Sequence, residues 1–91
     1  MSFLKKLFGI GAAAPKEAPT EAYNGYIIRA TPYAEAGQYQ MCGEIEREIN
    51  GVTMQHRFVR ADRFAAEAEA VQFTFAKARL IIDLNGDRIF S

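Results

Sequence analysis

The sequence predicts an α+β fold: a three-stranded antiparallel β-meander packed on one C-terminal α-helix, in the order β-β-β-α. Three observations predict it. Alternating apolar and polar residues flank Asn50-Gly51 over residues 38–60. A stretch rich in aromatic and β-branched residues precedes them at 23–33. A run of helix formers, AEAEAVQFTFAKARLIIDLN, then leads up to Gly86. One helix laid across one face of a small sheet is the simplest two-layer arrangement for these elements. Ninety-one residues suit a single domain with a modest core.

Residues 1–22 read differently from the rest, as a flexible segment and linker ahead of a single domain at 23–91. MSFLKKLFGIG sets Phe3, Leu4, Leu7 and Phe8 at helical spacing around Lys5 and Lys6, the pattern of a short amphipathic helix. AAAPKEAPTEA follows, with two of the three prolines, and reads as a linker. Three readings compete for the leading segment: a disordered tail, a weak tether to a membrane or protein partner, and a signal peptide. The last is set aside because Gly9 and Gly11 break an already short apolar run. A tether would also be weak. Burying one large apolar side chain contributes about 1.5–3 kcal/mol, and ordering so short a helix opposes it.

The first strand is expected at 23–33, ending near Pro32 or lying at an edge, since proline cannot donate to a ladder. Asn24-Gly25 reads as a turn entering it. Residues 34–37 form the connection, with Gly37 as the turn residue. Strands two and three run over 38–49 and 52–60. Asn50-Gly51 joins them as a two-residue hairpin turn, because both central positions need positive φ. The helix spans 66–85, with Glu67 and Glu69 in its first turn, where negative charge suits the macrodipole. Asp62 is a candidate cap for an earlier turn. Gly86 is the expected left-handed stop, after which Ile89 and Phe90 fold back onto the last turn or the sheet.

The turn fixes the register, and the register decides which side chains share a face. With Ile49 opposite Val52, partners run through Glu44–Arg57 and Cys42–Val59 to Met41–Arg60. Met41, Ile45, Ile49, Val52, Met54 and Phe58 then share the face the helix covers. Glu44, Glu46, Glu48, Gln55 and Arg57 meet water, with Glu44–Arg57 a cross-strand ion pair worth at most about 1 kcal/mol. Arg47 falls on the apolar face near the hairpin tip, its stem covering apolar surface and its head reaching water.

The same register argues against catalysis. Cys42 and His56 are the obvious nucleophile–base candidates, and they lie on opposite faces, so no dyad forms. The serines are Ser2 and Ser91, at the two ends. The glutamates lie on an open face rather than in a pocket. His56 reads as a structural histidine. One histidine and one cysteine provide no zinc spacing, and DLNGD at 83–87 is out of register for a calcium loop. No cofactor and no small-molecule substrate are expected. The lone cysteine forms no intrachain disulfide and suits a reducing compartment. No apolar run approaches the roughly 20 residues that span a bilayer.

On the helix, Val71, Phe75, Ala78 and Ile82 form one apolar stripe, which packs on the sheet. Phe73, Leu80 and Leu84 form a second, roughly opposite. One sheet covers one stripe. The second is a candidate interaction face for a second molecule, including a weak homodimer, or is covered by residues 3–8 or by Ile89 and Phe90.

FLKKLFG, YNGYIIRATP, GEIEREINGVTMQHRFVRAD and ARLIIDLNGDRIF together resemble the small proteobacterial proteins grouped as HlyU, transcriptional activator. The resemblance covers nearly the whole chain. Its most specific parts are residues 56–62 and 78–90. It implies a bacterial, cytoplasmic protein that acts in transcription, and it implies signature residues His56, Arg57, Phe58, Arg60, Asp62, Asp83, Gly86, Asp87 and Arg88.

Two functional classes stay open. One is a transcription regulator in which Arg57, Arg60, Arg63 and Arg29 form a local basic patch for DNA or a transcription-related protein. The other is a non-catalytic interaction module, tethered peripherally to a membrane or to a protein through Phe3, Leu4, Lys5, Lys6, Leu7 and Phe8. The zero formal net charge favours the second, since a phosphate-neutralising protein is usually basic. The resemblance favours the first.

Overall fold

The computed structural model describes residues 18–91. The expected amphipathic helix and tether at residues 3–8 lie outside the described residues. The elements are β1 Thr20–Tyr23, β2 Tyr26–Ala30, β3 Tyr33–Glu35, β4 Gln38–Ile49, β5 Val52–Phe64, α1 Glu67–Asn85 and a 3₁₀ turn Gly86–Phe90. One antiparallel sheet packs against one C-terminal helix, as expected. The sheet has five strands rather than three. β4 is its spine. β5 follows one edge of β4, and β3 and β2 share the other edge, with β1 outside β2.

The extra strands come from two local effects. Pro32 has no N–H to donate, and the expected first strand divides there into β2 and β3. The last ladder contact before the break is Thr31 N–H to the Cys42 carbonyl at 2.9 Å. Asn24-Gly25 does not merely enter a strand. It closes a full hairpin, β1–β2, with Thr20 opposite Arg29. The first strand therefore begins at Thr20, three residues into what reads as linker. Three two-residue turns share one conformation, with φ of 50° and 86° at Asn24-Gly25, 52° and 80° at Ala36-Gly37, and 53° and 80° at Asn50-Gly51. Paired positive φ values match the right-handed twist of the flanking strands. Ala36 is the one of these whose Cβ makes that conformation costly.

The β4–β5 register runs as expected from Ile49↔Val52 to Cys42↔Val59. It then departs from the expected Met41–Arg60 pair. The next partners are Gln40↔Arg63 and Tyr39↔Phe64, so Arg60, Ala61 and Asp62 stand opposite Met41 alone. This bulge is stitched by the Gln40 side-chain amide, which donates to the Arg60 carbonyl at 2.9 Å. It lets β5 run on to Phe64. Asp62 accordingly belongs to a strand and caps no turn. The helix starts at Glu67, with Ala66 in the cap position and no side-chain cap.

The core lies between α1 and one sheet face. Tyr26, Ile28, Ala30, Met41, Ile45 and Phe58 are buried there against Ala70, Phe75, Ala78, Ile81 and Ile82. Val71 is half-buried, so the covered side of the helix is turned slightly from the expected stripe. Thr74 is fully buried, its hydroxyl satisfied by the Ala70 carbonyl at 2.7 Å. The helix does not reach the hairpin tip. Ile49 and Met54 are half-buried and Val52 is exposed, where full cover was expected. Gly86 ends the helix with φ 57° and ψ −141°, outside the left-handed helical region that was expected, and the turn after it brings Ile89 and Phe90 back onto the core.

Helix and sheet touch most closely at Gly43. A Cβ there would sit 2.7 Å from Thr74 Cγ2, 2.9 Å from Phe58 Cζ and 3.0 Å from the Arg29 carbonyl oxygen. Gly43→Ala is expected to destabilise the fold by about 1–3 kcal/mol, measured as a lower urea midpoint. Ala36→Gly relieves the left-handed alanine and is expected to add about 0.5–1 kcal/mol, read in the same titration.

Candidate functional site

Three polar contacts clasp α1 to the sheet along one flank. β1 runs beside the helix, and helix positions four apart present their side chains to it. Glu21 pairs with Arg79 at 2.5 Å. The Tyr23 hydroxyl donates to Asp83, 2.9 and 3.0 Å from its two carboxylate oxygens. The third contact joins three side chains. The Tyr26 hydroxyl donates to Asp87 Oδ1 at 2.5 Å, and Arg47 donates to the same oxygen at 2.9 Å and to the Tyr26 hydroxyl at 3.2 Å. The Arg47 guanidinium carbon lies 5.0 Å from the centre of the Tyr26 ring, within cation–π range. Arg47 therefore does not simply reach water. Its head locks the 3₁₀ turn onto β2 and β4.

The protonation chemistry follows. The hydrogen bond to Asp83 holds the Tyr23 phenol above its usual range. Burial does the same to Tyr26, reinforced by its bond to Asp87. The bond from Tyr26, aided by Arg47 and opposed by burial, holds the Asp87 carboxyl below the usual carboxylate range. The proton stays on the phenol and the charge on the carboxylate. The cluster is a closed clasp.

The sequence-expected basic residues do not all come together. Arg29, on β2, lies 3.4 Å from Glu44 and 3.7 Å from Glu46. It is the register partner of Glu44 across β2–β4, and it takes the ion pair that was expected of Arg57. Glu46 also accepts from the Gln55 amide at 3.2 Å. Arg29 is thus tied into the glutamate ladder on the uncovered face. Arg57, Arg60 and Arg63 all lie on β5, exposed, and none forms an ion pair among the described residues. The bulge sets Arg63 opposite Gln40, two alternations along β4 from Glu44 opposite Arg57, so both point to the uncovered face. Because the bulge takes up the extra β5 residues, Arg57 and Arg63 stand opposite β4 positions four residues apart, about 13 Å along the strand.

Cys42 and His56 lie on opposite faces, as their register requires. Cys42 is buried and accepts a hydrogen bond from the Thr31 hydroxyl at 3.5 Å. His56 is half-buried opposite Ile45. Asp83 and Asp87 are committed to tyrosines. No cluster of three or more histidine, cysteine or acidic side chains suited to a metal occurs among the described residues, and no helix among them is long and apolar enough to cross a membrane. A cavity of about 500 Å³ lies between the first turns of α1 and Pro19, Ala30 and Pro32, at the other end of the helix from the Tyr26 clasp. Phe73, Leu80 and Leu84 are 50%, 49% and 65% exposed, so that stripe stays largely open, with Phe64 of β5 stacked on Phe73 at one end. Sequence reasoning missed the clasps. The four-residue spacing of Arg79, Asp83 and Asp87 was visible, but its partners sit on β1 and β2, and β1 was unrecognised.

The family model described as transcriptional activator HlyU matches residues 2–90, and the chain belongs to that family. No curated protein and no solved structure matches the chain.

Acid should loosen the Tyr26–Arg47–Asp87 clasp. A carboxyl held below its unfolded value stabilises the fold fully above that value, and the contribution fades as pH falls through the folded one. Wild-type stability is expected to drop below about pH 4, and Asp87→Asn to flatten that part of a stability-against-pH curve obtained by urea titration. Identical acid limbs for the two proteins would remove the clasp from the account.

Proposed function

We propose that this HlyU-family chain is a non-catalytic bacterial domain that activates transcription from the cytoplasm by contacting DNA through Arg57, Arg60 and Arg63 on β5. The observation that carries the reading is the sorting of arginines. Arg29, Arg47 and Arg79 are held in ion pairs, and Arg88 donates to the Leu84 and Asn85 carbonyls at 3.1 and 3.2 Å. The three on β5 are exposed and form no ion pair among the described residues. A chain of zero net charge thereby presents local free cations, the requirement for phosphate contact. The family description supports the same role. Buried Cys42, the separated His56 and the closed tyrosine clasps favour binding over catalysis.

Three arginines limit the electrostatics. Neutralising about three phosphates makes log K fall with log salt at a slope of about −3. Fluorescence anisotropy with duplex DNA should show that slope. Replacing all three arginines by alanine should bring it near zero with the melting temperature nearly unchanged, because the side chains are exposed. Absence of wild-type binding at about 50 mM salt, where phosphate contacts are strong, would refute the reading.

A further inference from the structure

The outward side of α1 is an apolar stripe with opposite charges at its two ends. Phe73, Leu80 and Leu84 follow one another at intervals of seven and four residues, which places them on one side of the helix. Ala76 lies among them, exposed and small. Phe64 of β5 stacks on Phe73, ring centroids 5.0 Å apart and planes 10° from parallel, and widens the stripe at that end. Glu69 stands one turn before Phe73. Arg88 stands past the far end, in the 3₁₀ turn, its guanidinium held at the C-terminus of α1 by bonds to the Leu84 and Asn85 carbonyls at 3.1 and 3.2 Å. The order along the face is acid, Phe73, Ala76, Leu80, Leu84, base.

We infer that this face binds a second copy of the same chain, with the two α1 helices antiparallel about a two-fold axis. A two-fold interface must be complementary to itself, and this stripe is so in one sense only. Setting Phe73 against Leu84 of the second copy carries Glu69 toward Arg88 of the second copy, and the reverse pair forms at the other end. A parallel arrangement sets Glu69 against Glu69 and Arg88 against Arg88. The antiparallel arrangement also brings Lys77 beside Leu80, where a lysine stem covers apolar surface while its head stays in water. Ala76 near the middle lets the helices approach. The inference goes beyond DNA contact and does not depend on it, since the β5 arginines take no part.

Sedimentation velocity of the full chain tests it. The wild type should be dimeric at about 100 µM and dissociate at low micromolar concentration, as suits an interface of one helix stripe per partner. Leu80→Glu should weaken association at least about 100-fold, with circular dichroism and melting unchanged because Leu80 faces outward. Glu69→Arg should weaken it about three- to tenfold, and Glu69→Arg combined with Arg88→Glu should recover most of that loss. A wild type that stays monomeric at about 1 mM overturns the proposal and leaves the stripe to another protein or to residues 3–8. Association indifferent to Leu80→Glu, or a double charge swap no better than Glu69→Arg alone, overturns it as well.

Discussion

The contact between Gly43 and Thr74 sets how α1 lies on the sheet. Gly43 sits at mid-sheet, between Ala30 of β2 and Phe58 of β5. It lacks the side chain that would hold the helix off. Thr74 drops into that gap, and it can be buried because its hydroxyl turns back to its own helix. Once Thr74 is seated, Phe75, Ala78, Ile81 and Ile82 must meet the β2 and β4 side chains, since helix geometry leaves them no other side. The apolar contacts supply most of the stabilisation, being non-directional and proportional to area. Where along the sheet they form is decided at the glycine.

The clasps act on what the glycine leaves free. A helix resting on one contact can still swing about it. Arg79 and Asp83 tie the second half of the helix to β1, and Asp87, in the turn just past it, ties that turn to β2 and β4. Individually such exposed pairs contribute little. The Tyr26 group differs because the ring is buried, so Asp87 and Arg47 satisfy a hydroxyl that burial would otherwise penalise. The same demand places the 3₁₀ turn, and with it Ile89 and Phe90.

Charge is sorted by this architecture. β2 and β5 on either side of the β4 spine give Glu44 and Glu46 two cross-strand neighbours each. On the β2 side Arg29 closes on Glu44 and Glu46, and the β5 arginines form no ion pair among the described residues. The closed side of α1 consumes its acids and Arg79, while the open side keeps Phe73, Leu80 and Leu84 framed by Glu69 and Arg88. One surface is therefore a row of cations on a strand and the other an apolar stripe on a helix. One lies on the sheet and the other on the helix.

Much of this was legible in the residues. Asn50-Gly51 has one low-cost backbone solution, and from it the β4–β5 pairing follows residue by residue to Cys42–Val59, including the separation of Cys42 from His56. The helix limits, the stop at Gly86 and the two apolar stripes are equally local, because period and punctuation are written in neighbouring residues. The β1–β2 hairpin was hidden by its shortness, the division at Pro32 by uncertainty over whether a proline ends a strand or merely marks an edge. The bulge at Met41 was invisible, since nothing in β5 announces where two strands of unequal length must fall out of step. The sequence by itself determined the helix, the β4–β5 hairpin and which of their residues share a face. Only the tertiary structure decided that Glu44 takes Arg29 over Arg57, that Arg47 closes on Asp87, and which arginines stay free. Each of those is a competition between partners far apart in the chain, and it is settled by which strand lies alongside which.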